Sequence, residues 1–489
     1  MADASRSGGV TYTAVEAGYF EKRELKRHAR FWSLWALGVG AVISGNFSGW
    51  NLGLASGGFG GLFFATLVIT VMYLGLIFSL AEMSPALPHT GGAYSFARSA
   101  MGPWGGFITG VAENMEYVLT PAVVAFFMGT YLGAIFGTPD SVQPLWWIAS
   151  YVVFVGLNVG GVALSFRLSV VVTVAALAVL AFFWISALPQ LDLRANALNI
   201  APTAGNSAWL PFGWGGVLAA LPFAVWFYLA IEELPLAAEE VHEPQTHMPK
   251  GLIFGIATLI VCAFLTLTLN TGIAPGADGL KASSEPLLDG FRTLFGDTIG
   301  RVLACFAVIG LVASFHTIIF AYGRQIFSLS RAGYIPKFLS ITHGERKTPH
   351  VALIAGGLLG LAVLLIIWSV AGAERGSAFI GGTLLNMAVF GAMLSYLLQA
   401  LSFIMLRRKL PNIPRPYVSP LGIPGAVATI LIAVLTLGFQ LSDPAYREGV
   451  IGAALWFLAG IAYFAAVGRH RLVRSPEEEF AMRQMTGSR

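Results

Sequence analysis

Charge is what this 489-residue chain has least of: 11% of its residues are Asp, Glu, Lys or Arg, against 56% that are hydrophobic. A water-soluble domain carries roughly 25% charged residues, so a soluble globular protein is excluded. Cysteine is almost absent. Cys262 and Cys305 both fall in apolar runs, so neither a disulfide framework nor a cysteine metal site is indicated. The histidines (His28, His89, His242, His247, His316, His343, His350 and His470) are scattered, mostly through connecting segments, without metal-ligand spacing. A membrane enzyme built on a metal or an activated nucleophile is disfavoured, and no cofactor or metal is expected. The polar, basic start of the chain has no short apolar core before a small-residue cleavage site, so no cleavable leader is expected. The net charge of +4 does not argue for nucleic acid, because the basic residues cluster beside apolar runs.

What is present is a succession of such runs, each near the ~20 residues that cross a bilayer. About twelve can be placed between 31 and 468, which gives an all-α polytopic membrane protein with both termini on one side. Twenty-three of the 29 lysines and arginines then fall on the side of the termini. This asymmetry makes that side cytoplasmic and the location the inner (cytoplasmic) membrane of the cell. The last two runs are apolar and featureless, as suits a peripheral or oligomer-facing pair, and the sequence leaves the oligomeric state open.

A few spans carry groups that hydrocarbon does not favour. In Leu221–Pro249 the aromatics Trp226, Phe227 and Tyr228 precede two adjacent carboxylates, Glu232 and Glu233, and then Pro235. An ionisable residue in a span costs ~2.5–3.5 kcal/mol on insertion scales, so this pair demands a polar cavity or a partner. Pro235 lacks a donor and disfavours helical backbone at Leu234, which predicts a break nearby. The first span holds Ser44, Gly45, Asn46 and Ser48 among several glycines, a composition that predicts unwinding near Ser44–Asn46. The third places Glu113 and Glu116 on one helical face, and no lysine or arginine lies at a neighbouring span centre. His316 is intramembrane, suited either to relaying protons or to a plain hydrogen bond within the bundle. Arg324 and Arg331 are expected to snorkel to the interface, and Glu82 to anchor a loop.

Four stretches taken together carry a resemblance: GVGAVISGNFSG, AEMSPALPHTGGAYSFAR, ELPLAAEEVHEPQTHMPKG, and YGRQIFSLSRAGYIPKF with KTPHVA. Over nearly its whole length the chain resembles the amino acid–polyamine–organocation (APC) transporter superfamily. The first-span SGNFSGWNLGL and the third-span ENMEYVLTP bring it nearest the ethanolamine permease group. The resemblance implies the LeuT-type fold: a cytoplasmic segment 1–30, inverted five-helix repeats at 31–189 and 213–405, two peripheral helices within 406–468, and a cytoplasmic tail 469–489. It also implies unwound first and sixth helices around a midplane site. The site expected is Ser44, Gly45, Asn46, Glu113, Glu116, Trp226, Phe227, Tyr228, Glu232 and His316, with Glu116, Glu232 and His316 as candidates for proton coupling. Asn46 stands where amino acid carriers of the superfamily have a glycine, which narrows the nest for a substrate carboxylate. The expected cargo is therefore a small amine, ethanolamine first, with an amino acid as the alternative. Proton symport, sodium coupling through Ser314 and Thr317, exchange and facilitated diffusion all stay open. Glu239 and Glu240 match an inner-loop element and are expected to fix a loop or gate.

Overall fold

The computed structural model describes residues 6–7, 9–16, 18–87, 89, 91–371 and 376–474. Of the tail expected over 469–489, the part beyond 474 lies outside these. Thirteen α-helices run through the described residues: α1 (Phe31–Val42), α2 (Gly53–Ala86), α3 (Gly92–Phe136), α4 (Gln143–Gly160), α5 (Val162–Ala187), α6 (Gly213–Val225), α7 (Pro244–Thr271), the short α8 (Gly276–Leu280), α9 (Pro286–Arg331), α10 (His350–Ala371), α11 (Gly376–Lys409), α12 (Gly422–Ser442) and α13 (Arg447–Ala466). Ten of the described helical segments are long and apolar enough to cross a membrane. The two interrupted segments, which begin with α1 and α6, bring the number of crossings to the expected twelve.

Helix α3 lies at the centre, packed along α11 and α9, while α2 lies against α6 and α7, and α1 against α7 and α5. α12 and α13 close one flank against α2, α11 and α3. Large apolar side chains face outward from the peripheral helices, among them Val152, Val171, Ile185, Phe254, Leu358, Leu431, Leu455 and Leu458. In water each would forgo about 1.5–3 kcal/mol of burial energy; in a bilayer they are solvated by lipid.

Both interruptions have a local cause. Helix α1 stops at Val42, tightens into a 3-10 turn over Ile43–Asn46, and passes Gly49 at φ +90° before another short turn, Trp50–Leu52. Only glycine adopts that φ without cost, and a Cβ on Gly49 would come 2.7 Å from the Trp226 indole nitrogen. The second break differs from the expectation at Pro235. Helix α6 already ends at Val225, Ala230 takes a left-handed conformation (φ 84°), and Ile231–Glu240 continue as a 3-10 helix containing Pro235. Tertiary contact, not the proline, sets the break. The Trp226 carbonyl lies against Gly45, and its indole N–H donates to the Ser48 carbonyl at 2.9 Å.

The two ends of the chain share one face of the bundle. Tyr12 bridges Leu472 in parallel, and Ala29 bridges Val241 just beyond the second interruption.

Candidate functional site

The two interrupted helices meet backbone to backbone. A Cβ at Gly45 would fall 2.4 Å from the Trp226 carbonyl oxygen, so no larger residue fits there without moving one of the breaks. Around this crossing the chain gathers its unpaired polarity.

Four carboxylates, Glu113, Glu116, Glu232 and Glu233, are at most 2% exposed. The helical repeat of α3 brings Glu113, Glu116 and Tyr117 onto neighbouring faces. The Tyr117 hydroxyl lies 3.2 Å from one oxygen each of Glu113 and Glu232 and so ties α3 to the second break. From α11, Tyr396 donates to Glu116 at 2.8 Å and takes a 3.2 Å hydrogen bond from Tyr73 of α2. Glu116 and Glu232 are neighbours within this cluster. Neither oxygen of Glu233 has a partner, nor do the second oxygens of Glu113, Glu116 and Glu232. Among the described residues no lysine or arginine forms an ion pair with any of the four. Unpaired buried charge is costly, so the cluster is suited to hold protons or to accept a cation from outside the chain.

On the α1 side, Ser44 donates to the Ser314 hydroxyl at 2.8 Å, and Ser314 in turn donates to the Ala41 carbonyl. Thr317 donates to Ala313 at 2.8 Å within its own helix. Ser44 and Ser314 are thus tied to each other, while Thr317 bonds only within its own helix. Asn46 is fully buried, and neither its amide oxygen nor its nitrogen has a partner. A polar side chain in that state is rare in a folded protein and marks a position where a ligand or water belongs.

The aromatic run is bound into the scaffold. Trp226 is held by Ser48, Phe227 stacks on Trp50 with ring centroids 5.7 Å apart, and the Tyr228 hydroxyl pairs with Thr70 at 2.8 Å. None of the three is hydrogen-bonded to the carboxylates. His316 stands apart from the acid cluster in its bonding: its ring meets Asn158 at 3.1 Å and Ser165 at 3.0 Å, on α4 and α5. Its ring nitrogens are bonded to the scaffold, the plain hydrogen bond within the bundle that the sequence allowed beside a relay. No group of His, Cys, Asp and Glu arranged to hold a metal ion occurs among the described residues.

The family model for amino acid permeases matches residues 30–466. The chain belongs to this family. It is a secondary transporter of the APC superfamily and not an enzyme. This permease is 29% identical to an uncharacterised transporter of Rhizobium meliloti (strain 1021) over 437 residues, which cover 87% of the chain and 90% of the relative. It is 26% identical to a branched-chain amino acid permease of Bacillus subtilis (strain 168), covering 92% and 95% of the two chains. A methylthioribose transporter of the same organism is 24% identical, covering 93% and 96%. Among solved structures, a mutant manganese transporter of Eremococcus coleocola superposes with a TM-score of 0.57 over 96% of this chain and 99% of its own, at 12% identity. That likeness concerns the fold alone, which is the LeuT type.

The permease also carries charge pairs toward the face that bears its ends. Arg324 is 1% exposed and pairs with Glu240 at 2.8 Å, its guanidinium 3.6 Å from the Phe320 ring centroid. It does not snorkel as expected, because a fully buried carboxylate is there to meet it. Arg331 pairs with Glu239 and meets His89 at 2.8 Å. Glu82 is held by Arg407 and Arg415 (3.1 Å) and accepts from the Ser419 amide, which is the loop anchor expected of it. Two tyrosines of the site, Tyr73 and Tyr117, were not singled out from sequence. Tyr117 follows Glu113 by one helical turn and was legible on that ground; Tyr73 carries no such signal.

Proposed function

We propose that this permease moves a small organic amine, ethanolamine first among candidates, inward across the cytoplasmic membrane by alternating access. One observation carries the reading: four carboxylates on α3 and at the second break are buried, and among the described residues no lysine or arginine is paired with them. An ammonium group supplies the missing positive charge. The Tyr73, Tyr117 and Tyr396 rings surround it, and a substrate hydroxyl is received by the unpartnered Asn46 amide or by Ser44. Glu116 and Glu232, neighbouring acids of this cluster, are the candidates for proton coupling. The segments 31–189 and 213–405 act as the two repeats, and both termini lie in the cytoplasm.

A second reading, an amino acid carrier, draws on the name of the Bacillus subtilis branched-chain amino acid permease and on the free Asn46 amide, which can donate to a substrate carboxylate. Uptake of labelled ethanolamine into proteoliposomes, against a panel of amines and amino acids and with or without proton and sodium gradients, separates the two. Uptake that amino acids compete for and ethanolamine does not would replace the first reading with the second.

A further inference from the structure

Away from the crossing, on the face that bears both chain ends, lies a cavity of about 640 Å³. Its walls come from two pieces of chain: the segment leading into α1, through Glu16, Tyr19, Glu21, Lys22 and Arg23, and the connection between α9 and α10, through Lys337, Thr342, Gly344 and Lys347. Four cations and two carboxylates line it, an excess of two positive charges. The carboxylates do not neutralise the cations by contact. Among the described residues none pairs with Lys22, Arg23 or Lys337, and Lys347 reaches only Glu24, at 3.8 Å. Arg23 is buried and held in place by Ser340 (2.7 Å), by the Tyr19 carbonyl (3.0 Å) and by the Lys337 carbonyl (3.2 Å), with its guanidinium over the Tyr19 ring. These bonds fix the charge and leave it unbalanced. The Lys337 ammonium has one hydrogen-bond partner, the Thr13 hydroxyl at 2.9 Å. Its pKa is pushed down by burial, then by Arg23 and Arg471. Cations that converge on one cavity without carboxylate partners are what a polyanion relieves.

We propose that this cavity binds a phosphate-bearing ligand, a soluble phosphate ester or the phosphate headgroup of a membrane lipid, and thereby fastens the segment before α1 to the α9–α10 connection. A phosphate dianion matches the excess charge, and the volume leaves room for the group esterified to it. Phosphate accepts hydrogen bonds from lysine and arginine in any mixture, and the Thr342 hydroxyl and Gly344 lie on the same wall. The two walls are already joined where Thr342 donates to the Lys22 carbonyl at 2.9 Å. A ligand seated between them strengthens the joint, so occupancy holds this face closed and slows transport.

The test is binding, which does not depend on what is transported. Full-length protein in neutral detergent is titrated with pyrophosphate by calorimetry. In parallel it is placed in nanodiscs of phosphatidylcholine alone or with phosphatidylglycerol, and unfolding temperature is recorded in each. Pyrophosphate binding that weakens about tenfold or more in Lys337→Gln and Lys347→Gln, and not in the remote surface variant Arg292→Gln, supports a soluble ligand. Stabilisation by phosphatidylglycerol alone, lost in the same two variants, supports a lipid headgroup. If neither probe binds, or if Arg292→Gln weakens binding as much as the cavity variants do, the proposal is overturned. Lys347→Gln disturbs no short contact, so its result stands even where Lys337→Gln loosens the Thr13 tie.

Discussion

Glu116→Gln separates transport from stability in opposite directions. The amide keeps the shape of the side chain, and its oxygen still accepts from Tyr396 at 2.8 Å. What it removes is the negative charge of the carboxylate. If an ammonium group sits against that carboxylate, the variant leaves the cation buried beside a neutral partner. Breaking a buried ion pair in that way costs about 3–5 kcal/mol, and a factor of ten in affinity is about 1.4 kcal/mol. Amine affinity should therefore fall by roughly 10²- to 4 × 10³-fold, read as binding to purified protein and as initial uptake into proteoliposomes. Stability should move the other way. The empty site crowds four acids with no cation paired to them, and removing one relieves that crowding; the unfolding temperature of Glu116→Gln should hold or rise. Glu232→Gln should behave alike. Undiminished uptake in both variants would refute the acid-lined site. Lost uptake with a large drop in unfolding temperature would refute the claim that these acids are kept for function rather than fold.

Tyr396→Phe deletes the donor to Glu116 and should weaken amine binding about tenfold or more, as loss of a hydrogen bond to a charged group does, with expression unchanged; equilibrium binding checks it. Asn46→Gly restores room at the first break and should relax discrimination against amino acids, read from competition in the uptake assay. Gly45→Ala places a methyl 2.4 Å from the Trp226 carbonyl and should cost about 1–3 kcal/mol through overpacking, seen as a lower unfolding temperature together with lost transport. Arg324→Ala leaves Glu240 buried without its partner and should destabilise by about 3–5 kcal/mol, well beyond the effect of Arg292→Ala at the partly exposed Asp289 and exposed Asp297 pairs.

Much of this fold was legible because the bilayer restricts the choices. Apolar length gives the spans, and short polar residues among glycines marked the first break at Ser44–Asn46. The second break was misplaced because Pro235 is a visible local signal, whereas the contact that ends α6 at Val225 is made by Gly45 and Ser48, far away in sequence. The same holds for the site. Glu113, Glu116 and Glu232 stand out as charges where hydrocarbon is expected, and the structure brings them together. Tyr396 is one of the few polar groups in its span, a weak signal by itself. Tyr73 was not visible at all, since a tyrosine in an apolar run is as often packing as function. His316 stayed open between two readings for a related reason: its partners, Asn158 and Ser165, sit on two other helices that no local pattern connects to it.

The strand-like tie between Tyr12 and Leu472 also bears on how the molecule is made. Thr13 donates to Leu472 across 459 positions, so its partner is synthesised long after it. At the usual pace of synthesis Thr13 must wait roughly 25–90 s for it. During that wait the edge of Val10–Thr13 is open to other strands or to a chaperone, and a chain cut short of Leu472 lacks the seam altogether.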